Sequence, residues 1–340
     1  MKSFQEIKVR RQLQAILQVL ANHESPIGSE RISEILRISG IELTDRAIRD
    51  YLILTDQLGW TVNYGRKGRK ITEKGIRELE TELVVDKVGF VSSKVEELAY
   101  RMDFDIKKGQ GTIILNISYF GKEYLKKFIK KICMVYENNL GMGKLLTIAD
   151  EKTRLGSFRV PEKHVAIGTI CSVSLNGIFL RNSIPMTSRF GTLVELSDSK
   201  PKRFTQIISY EGTTIDPLEI FIRGKMTSVW EATQTGNGVI GVSFREIPSV
   251  SLTKAKELSR EVEECMLGGI LAIGSPNQPL LDMPVSQGRT GLLVLAGLNP
   301  IAVLAEHGIE VISKAMSTLF DYNSLIEYTE IEKYVRNHFW

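Results

Sequence analysis

Apolar residues recur at helical spacing through the first 80 residues, and two short extended segments follow the third group. In the first group Leu13, Ile16 and Leu17 share one side of a helix. The predicted helices span residues 4–21, 29–36, 45–58 and 73–82, and the predicted strands span 60–64 and 69–71. The two strands flank a basic glycine tip, Gly65-Arg-Lys-Gly68. Three helices followed by such a hairpin predict a winged helix-turn-helix domain.

After residue 83 strands and helices alternate, and the same succession occurs twice. Strands are predicted at residues 111–119 and 238–247, and amphipathic helices at 122–137 and 253–265. A Gly-x-Gly pair opens each strand, and the two pairs lie 127 residues apart (236 − 109). Self-similarity at a nearly fixed spacing indicates a duplicated structural unit.

The stretch 161–185 and its near-copy 284–309 strengthen the duplication. A buried strand is predicted from Val165 to Leu175, with a turn at Asn176-Gly177 and an equivalent turn at Asn299-Pro300. Prolines, glycines and asparagines match between the copies at a spacing of 123 residues (284 − 161), which places Val294 opposite Cys171.

The predicted fold class is therefore α+β, an N-terminal winged helix-turn-helix followed by an internally duplicated α/β regulatory domain. The expected boundaries are residues 1–82 for the first domain, 83–325 for the second, with halves at about 84–185 and 210–325, and 326–340 for a helical tail. Residues 187–235 are predicted to be a strand-rich insertion without a counterpart. The tail is expected to close the core or to meet another subunit.

Composition narrows the class of protein. The chain is 43% hydrophobic and 25% charged, and no apolar run approaches the roughly 20 residues of a membrane helix. The N-terminus is charged and has no apolar signal core, so a cytoplasmic protein without membrane attachment is expected. The three cysteines are scattered without CxxC spacing, which argues against a disulfide framework and against a metal site.

Positive charge is concentrated in the predicted third helix and wing. Between Arg46 and Lys74 only Asp50, Asp56 and Glu73 oppose seven basic residues. A local excess of this kind suits DNA, because neutralising phosphates releases counterions. The predicted DNA-binding residues are Thr44, Asp45, Arg46, Arg49, Arg66, Lys67, Arg69 and Lys70. Arg46 and Arg49 suit either guanine or phosphate, and a winged helix that binds protein remains an alternative.

Signals for catalysis are poor. The histidines have no HExxH pattern, no GxSxG motif is present, and Gly141-Met-Gly143-Lys144 lacks the spacing of a phosphate loop. We therefore predict no catalytic residues, no cofactor and no enzyme. The alternative is an enzyme tethered to nucleic acid that acts on a small anionic substrate, with Cys171 or Asp216 in its active site.

Polar and cationic residues beside glycine, in otherwise apolar surroundings, suit a small anionic effector. Arginine binds carboxylates through two parallel hydrogen bonds, and backbone amides beside glycine can close around an anion. The candidate effector-binding residues are Thr169, Cys171, Asn176, Ser188, Arg189, Arg223, Asn277, Arg289 and Asn299.

Several segments together resemble one family. The motifs GTICSVSLNGIFL, IPMTSRFG, DPLEIFIRGKMTSV, FREIP, GSPNQPLL and GLNPIAVL resemble the regulatory domain of the NrpR family, the nitrogen-regulation repressors of methanogenic archaea. The segment before them resembles the winged helix-turn-helix of that family, so the resemblance extends from Glu6 to Asp321.

The resemblance implies a homodimeric repressor that binds palindromic operator DNA ahead of nitrogen-fixation and ammonium-assimilation genes. It also implies release from the operator when 2-oxoglutarate, the allosteric effector, accumulates. Some members carry two regulatory domains, whereas this chain carries one that is internally duplicated. A second NrpR-type chain is therefore a further expected partner.

Overall fold

The computed structural model describes residues 4–23, 25–38, 41–76, 78–79, 90–156 and 158–339. The chain divides into two compact units, Met1–Gly89 and Phe90–Trp340, referred to below as the N-terminal unit and the C-terminal unit. In the described part of the chain, no helix has the length and apolar character needed to cross a membrane.

The N-terminal unit contains the predicted helices and hairpin. Its elements are α1 (Phe4–Ala21), α2 (Ser29–Ile38), α3 (Asp45–Gln57), β1 (Thr61–Asn63), β2 (Arg69–Ile71) and α4, helical at residues 73–76 and 78–79. Helices α1 to α3 bury Ile16, Ile32 and Ile48 against one another. The expected turn at Gly40 and the end of α4 lie outside the described residues. The predicted winged helix-turn-helix is confirmed.

The wing is a small three-stranded arrangement. β1 and β2 pair antiparallel, with Thr61 opposite Ile71, and Ile27 forms a bridge to Arg69 on the other side of β2. Gly68 permits this approach, because a Cβ atom there would lie 2.1 Å from the carbonyl oxygen of Ile27.

The C-terminal unit contains two five-stranded antiparallel sheets and the helices that cover them. Its helices are α5 (Val91–Arg101), α6 (Leu125–Glu137), α7 (Val173–Arg181), α8 (Pro217–Arg223), α9 (Val229–Thr235), α10 (Leu252–Glu264), α11 (Asn299–Glu306) and α12 (Tyr328–Phe339). Its strands are β3 (Thr112–Gly121), β4 (Leu145–Ala149), β5 (Arg154–Leu155), β6 (Phe158–Arg159), β7 (His164–Ile170), β8 (Thr187–Ser197), β9 (Lys200–Ser209), β10 (Gly238–Pro248), β11 (Ile270–Ile273), β12 (Arg289–Leu295), β13 (Val311–Asp321) and β14 (Ile326–Glu327).

The two halves of this unit exchange strands. One sheet has the order β13-β3-β7-β4-β14 and the other β11-β12-β10-β8-β9. β8 follows α7 of the first half but pairs with β10 of the second half, and β13 follows α11 of the second half but pairs with β3 of the first. The prediction that residues 187–235 have no counterpart is therefore wrong for β8, which corresponds to β13. The β-bonding partners lie far apart in the chain, so spacing alone did not reveal the exchange.

Strand pairing also corrects the spacing of the second repeat. Leu115 of β3 pairs with Ile170 of β7, and Val242 of β10 pairs with Leu295 of β12. The first members are 127 residues apart (242 − 115), as the Gly-x-Gly pairs predict, but the second members are 125 apart (295 − 170). The matches at a spacing of 123 are coincidental, because strands of similar composition align by eye in more than one register.

The helices that follow these strands support the same correction. The Ser174 hydroxyl bonds the N–H and the carbonyl of Ile114, both at 3.1 Å, and the Asn299 side chain bonds those of Gly241 at 3.0 and 2.9 Å. Since 299 − 174 is 125, Ser174 and not Asn176 is the counterpart of Asn299.

The predicted turns at Asn176-Gly177 and Asn299-Pro300 are wrong. Strand β7 ends at Ile170, and both pairs lie in helices, the first inside α7 and the second at the start of α11. Nearly every side chain of these helices is buried, so their sequences have no polar face that would distinguish a short helix from a buried strand.

The predicted amphipathic tail is present as α12. Its residues Ile331 and Val335 are fully buried in the main core, and its first turn packs beside α6, where Tyr328 stacks on Tyr136. The helix thus closes the core of the C-terminal unit.

Candidate functional site

The N-terminal end of α3 presents cations on a capped helix. The Thr44 hydroxyl accepts a hydrogen bond from Ala47 N at 3.2 Å, which satisfies one of the free amides of the first turn. Arg49 is 61% exposed and forms an ion pair with Asp45 one turn earlier. Arg46 is exposed and has no ion-pair partner within the described ranges. Arg46 is therefore free to bind an anion, and Arg49 is oriented by Asp45.

The wing adds three exposed cations. Its tip is a single 3-10 turn, Gly65–Lys67, in which Gly65 N donates to Asn63 Oδ1 at 2.8 Å. The side chains of Arg66, Lys67 and Lys70 are exposed and form no ion pair in the part of the chain that the structure describes. A basic loop of this kind suits contact with phosphates.

Arg69 has a different setting from the other basic residues of the wing. Its side chain is 17% exposed and donates from Nε to Asp56 Oδ2 at 2.8 Å. The hydroxyl of Thr61 donates to the other oxygen of Asp56 at 2.5 Å. This cluster joins β1 and β2 to the last turn of α3, so Arg69 holds the wing on the helix.

Six of the nine candidate effector-binding residues lie apart from one another. Thr169 and Asn299 are buried, and Asn299 is occupied by backbone groups. Arg223 lies 3.6 Å from Glu219 on its own helix. Asn277 is in a turn and accepts from Gly288 N at 2.6 Å, and Arg289 begins β12.

Cys171 lies in the core directly after β7. Burial raises the pKa of its thiol to about 11, so the thiolate is scarce at neutral pH. Its counterpart by strand pairing is Ala296 (296 − 171 is 125), which carries no thiol. The setting is that of a small apolar residue and does not favour the alternative of a nucleophile.

The remaining three candidates come together at one cleft. Asn176 and Ser188 line a cavity of about 330 Å³ between α5, α7 and the start of β8. Nδ2 of Asn176 donates to Ser188 Oγ at 3.2 Å. Arg189 lies next to Ser188, and its Nη1 is 3.8 Å from Glu211 Oε1, a residue of the cavity lining.

A buried arginine beneath this cleft was missed from the sequence. Arg245 of β10 is fully buried, and it donates to Asn176 Oδ1, to the Ser172 carbonyl at 2.8 Å and to the Ser172 hydroxyl at 2.7 Å. Its Nε donates to Ser243 at 3.0 Å. The signal was a cation between apolar residues of a predicted central strand, because such a residue is rarely buried without a specific partner.

Comparison with known proteins gives family matches over both units. NrpR regulatory domains NRD1 and 2 match residues 88–327, and the ribonuclease R winged-helix domain matches residues 14–79. A nitrogen repressor-like protein from Methanococcus jannaschii, known from its crystal structure, superposes with a TM-score of 0.60 at 29% identity. That match covers 71% of this chain and 99% of the other.

Curated relatives extend over nearly the whole chain. Global nitrogen regulator NrpRI of Methanosarcina mazei is 32% identical over 320 residues, which cover 94% of this chain and 98% of that protein. Global nitrogen regulator NrpR of Methanococcus maripaludis is 30% identical over 316 residues, which cover 93% of this chain and 55% of that longer protein. With its regulatory domain and its full length both matched, the chain belongs to the NrpR family of global nitrogen regulators.

Proposed function

We propose that the protein is a transcriptional repressor of nitrogen-fixation and nitrogen-assimilation genes, which binds palindromic operator DNA as a homodimer and is released by 2-oxoglutarate. The observation that carries the proposal is the set of exposed cations on α3 and the wing of a winged helix, in a member of a family of nitrogen regulators. A second NrpR-type chain is a further possible partner under the same proposal.

The residues of the N-terminal unit divide into two roles on DNA. The start of α3 enters the major groove, where Arg46 and Arg49 contact base edges or the flanking phosphates. Arg66, Lys67 and Lys70 of the wing bind the backbone and set the salt dependence of affinity. In a dimer the two copies of α3 lie in successive major grooves, which accounts for a palindromic site.

The effector acts through a difference in affinity between two states. If 2-oxoglutarate binds better to a dimer whose half-site spacing no longer fits the operator, DNA is released. A tenfold loss of DNA affinity requires about 1.4 kcal/mol of coupling. The effector must bind the DNA-free state more tightly by the same factor, since the coupling is reciprocal.

Replacing both Arg46 and Arg49 by Ala tests the DNA-binding role. Operator affinity is expected to fall at least tenfold, and the slope of log affinity against log salt is expected to become shallower, because two phosphate or base contacts are lost. Binding is measured by gel shift on duplexes that the full-length wild-type chain selects from a random library.

The matched control is Arg203→Ala, which removes an exposed arginine of β9 paired with Glu195. It should leave affinity and salt slope unchanged. Equal affinity in the Arg46 and Arg49 double variant would instead favour a winged helix that binds protein. The effector role is tested separately: millimolar 2-oxoglutarate is expected to release the selected DNA, with any partner chain present, and unchanged binding would contradict that part of the proposal.

A further inference from the structure

We propose that the effector, a small molecule bearing a carboxylate, binds in the cleft between α5, α7 and β8, and that α5 moves in response. The inference rests on the proposed function, since it assigns the site and the moving element of the effector response. At about 330 Å³ the cleft lies within the usual size range of small-molecule sites.

The lining offers hydroxyl donors that the protein does not use. Ser188 Oγ accepts from Asn176, and among the described residues its own hydrogen has no acceptor. The hydroxyls of Ser92 and Thr187 also line the cleft and form no side-chain hydrogen bond within those residues. Three such donors on two elements suit an oxygen-rich acceptor such as a carboxylate.

A β-bulge brings a cation to the rim. Where β8 pairs with β10, Phe190 lies opposite Phe244 and Ser188 lies opposite Arg245, so Arg189 is the extra residue. Bulges re-aim side chains and are frequent beside functional sites. Arg189 is 36% exposed and lies 3.8 and 4.0 Å from its two carboxylate neighbours, which leaves it free to turn to a stronger acceptor.

Arg245 makes the floor of the cleft positive. It has no carboxylate within ion-pair distance in the described part of the chain, so neutral groups alone satisfy its charge. By binding Oδ1 of Asn176 it directs Nδ2 of that residue towards the Met186 carbonyl and Ser188 at the cleft wall. A carboxylate can replace these two acceptors, and burial of the arginine strengthens its attraction for an anion.

The wall formed by α5 is held less firmly than its counterpart in the second half. There α9 covers α11, and the Glu306 carboxylate accepts from Val229 N at 2.7 Å and Trp230 N at 2.8 Å. The counterpart of Glu306 on α7 is Arg181 (306 − 181 is 125), which donates to the other end of α5, at Met102 O. No side chain caps the first turn of α5.

This difference selects α5 as the element that responds. It lines the cleft, and it is the first described helix after the residues that lead from the N-terminal unit. A ligand that bridges Ser92 of α5 and Ser188 of β8 would draw the helix towards the sheet, and the covalent connection offers a route to the DNA-binding unit.

Binding is tested by calorimetric titration of the full chain with 2-oxoglutarate, and with glutarate as a second probe. Ser188→Ala and Arg189→Gln are each expected to weaken binding of 2-oxoglutarate at least fivefold, and together at least twentyfold. The matched controls are Ser324→Ala and Arg203→Gln, both exposed and outside the cleft, which should bind as the wild type does.

The sign of the ligand charge is tested at Glu96, an exposed carboxylate of the cleft lining. Glu96→Gln is expected to tighten binding of 2-oxoglutarate, because it removes a like charge. Weaker binding in this variant would overturn an anionic ligand in the cleft.

Hydrogen exchange tests the movement. Saturating 2-oxoglutarate should slow exchange of the α5 amides and leave those of α9 unchanged. Wild-type affinity in the Ser188 and Arg189 variants, or no binding of either probe, would overturn the cleft assignment. The first outcome leaves the proposed repressor and its effector intact, and the second leaves its DNA binding intact, since gel shifts without effector report that activity alone.

Discussion

Asp216 carries a charge in a setting that disfavours it. Burial raises the pKa of its carboxyl to about 6 from 3.8, a rise only partly opposed by the hydrogen bond from Leu218 N at 2.9 Å, and nearby Glu219 adds repulsion. The residue begins α8 as its N-cap. Its carboxylate therefore stabilises one helix locally at a cost in desolvation.

The pH dependence of stability follows from that pKa. Because the folded value lies above the ordinary one, the proton stabilises the folded state fully below about pH 4, and this contribution is lost as the pH rises through about 6. Asp216→Asn keeps an N-cap side chain without the charge. We expect it to gain stability relative to the wild type between pH 4 and 7, measured by urea unfolding at each pH.

Asp103→Asn is the control with the opposite sign. Hydrogen bonds from Thr112 lower the pKa of the Asp103 carboxyl, so its charge contributes stability that is lost only as the pH falls below the ordinary value of 3.8. Its variant should lose stability at neutral pH. A constant difference between Asp216→Asn and the wild type across pH 4 to 7 would contradict the assigned pKa.

At the scale of elements, the wing depends on one glycine more than on the other. Gly68 has a φ of +98° and lies against the Ile27 backbone, whereas Gly65 has a φ of +64° and open space around it. Both conformations disfavour a side chain by roughly 1–2 kcal/mol, but only at Gly68 would a methyl group also collide with the chain.

Gly68→Ala is therefore expected to separate β2 from Ile27 and to weaken operator binding at least fivefold, because the wing cations lose their position. Gly65→Ala is the matched control and should change affinity less than twofold. Gel shifts on the selected duplexes measure both variants. Equal losses in the two variants would show that strain at the tip, and not the contact with Ile27, controls the wing.

At the scale of the whole molecule, strand exchange makes the halves of the C-terminal unit interdependent. Without β13, the edge of β3 would be unpaired, and without β8 the edge of β10 would be. The halves also meet at Gly297, where a Cβ atom would lie 1.9 Å from Ile170 O and 2.6 Å from Asn116 Nδ2.

Gly297→Ala is expected to destabilise the C-terminal unit by about 3 kcal/mol, because the collision involves backbone of the other half that cannot move aside alone. Gly274→Ala is the control, since its nearest neighbour would lie at 3.4 Å and its φ is not in the left-handed region. The control should change stability by less than about 1 kcal/mol. Urea unfolding measures both, and a loss at Gly297 no larger than at Gly274 would contradict the tight crossing.

The sequence by itself determined the local elements and the family. Helix periodicity, the Thr44 cap and the Gly-x-Gly pairs depend on residues close together in the chain, so the winged helix and the 127-residue repeat were predictable. Charge on α3 and the wing was predictable for the same reason, although the partner of Arg69 was not.

Only the tertiary structure decided which distant segments meet. The exchange of β8 and β13, the helical state of α7 and the burial of Arg245 depend on packing between residues that are 69 or more positions apart, as for Arg245 and Asn176. In a fully buried segment no polar face records its conformation, and a buried cation is read correctly only when its partners are known. The cleft joins three elements that no spacing in the chain connects, so it emerged from the fold alone.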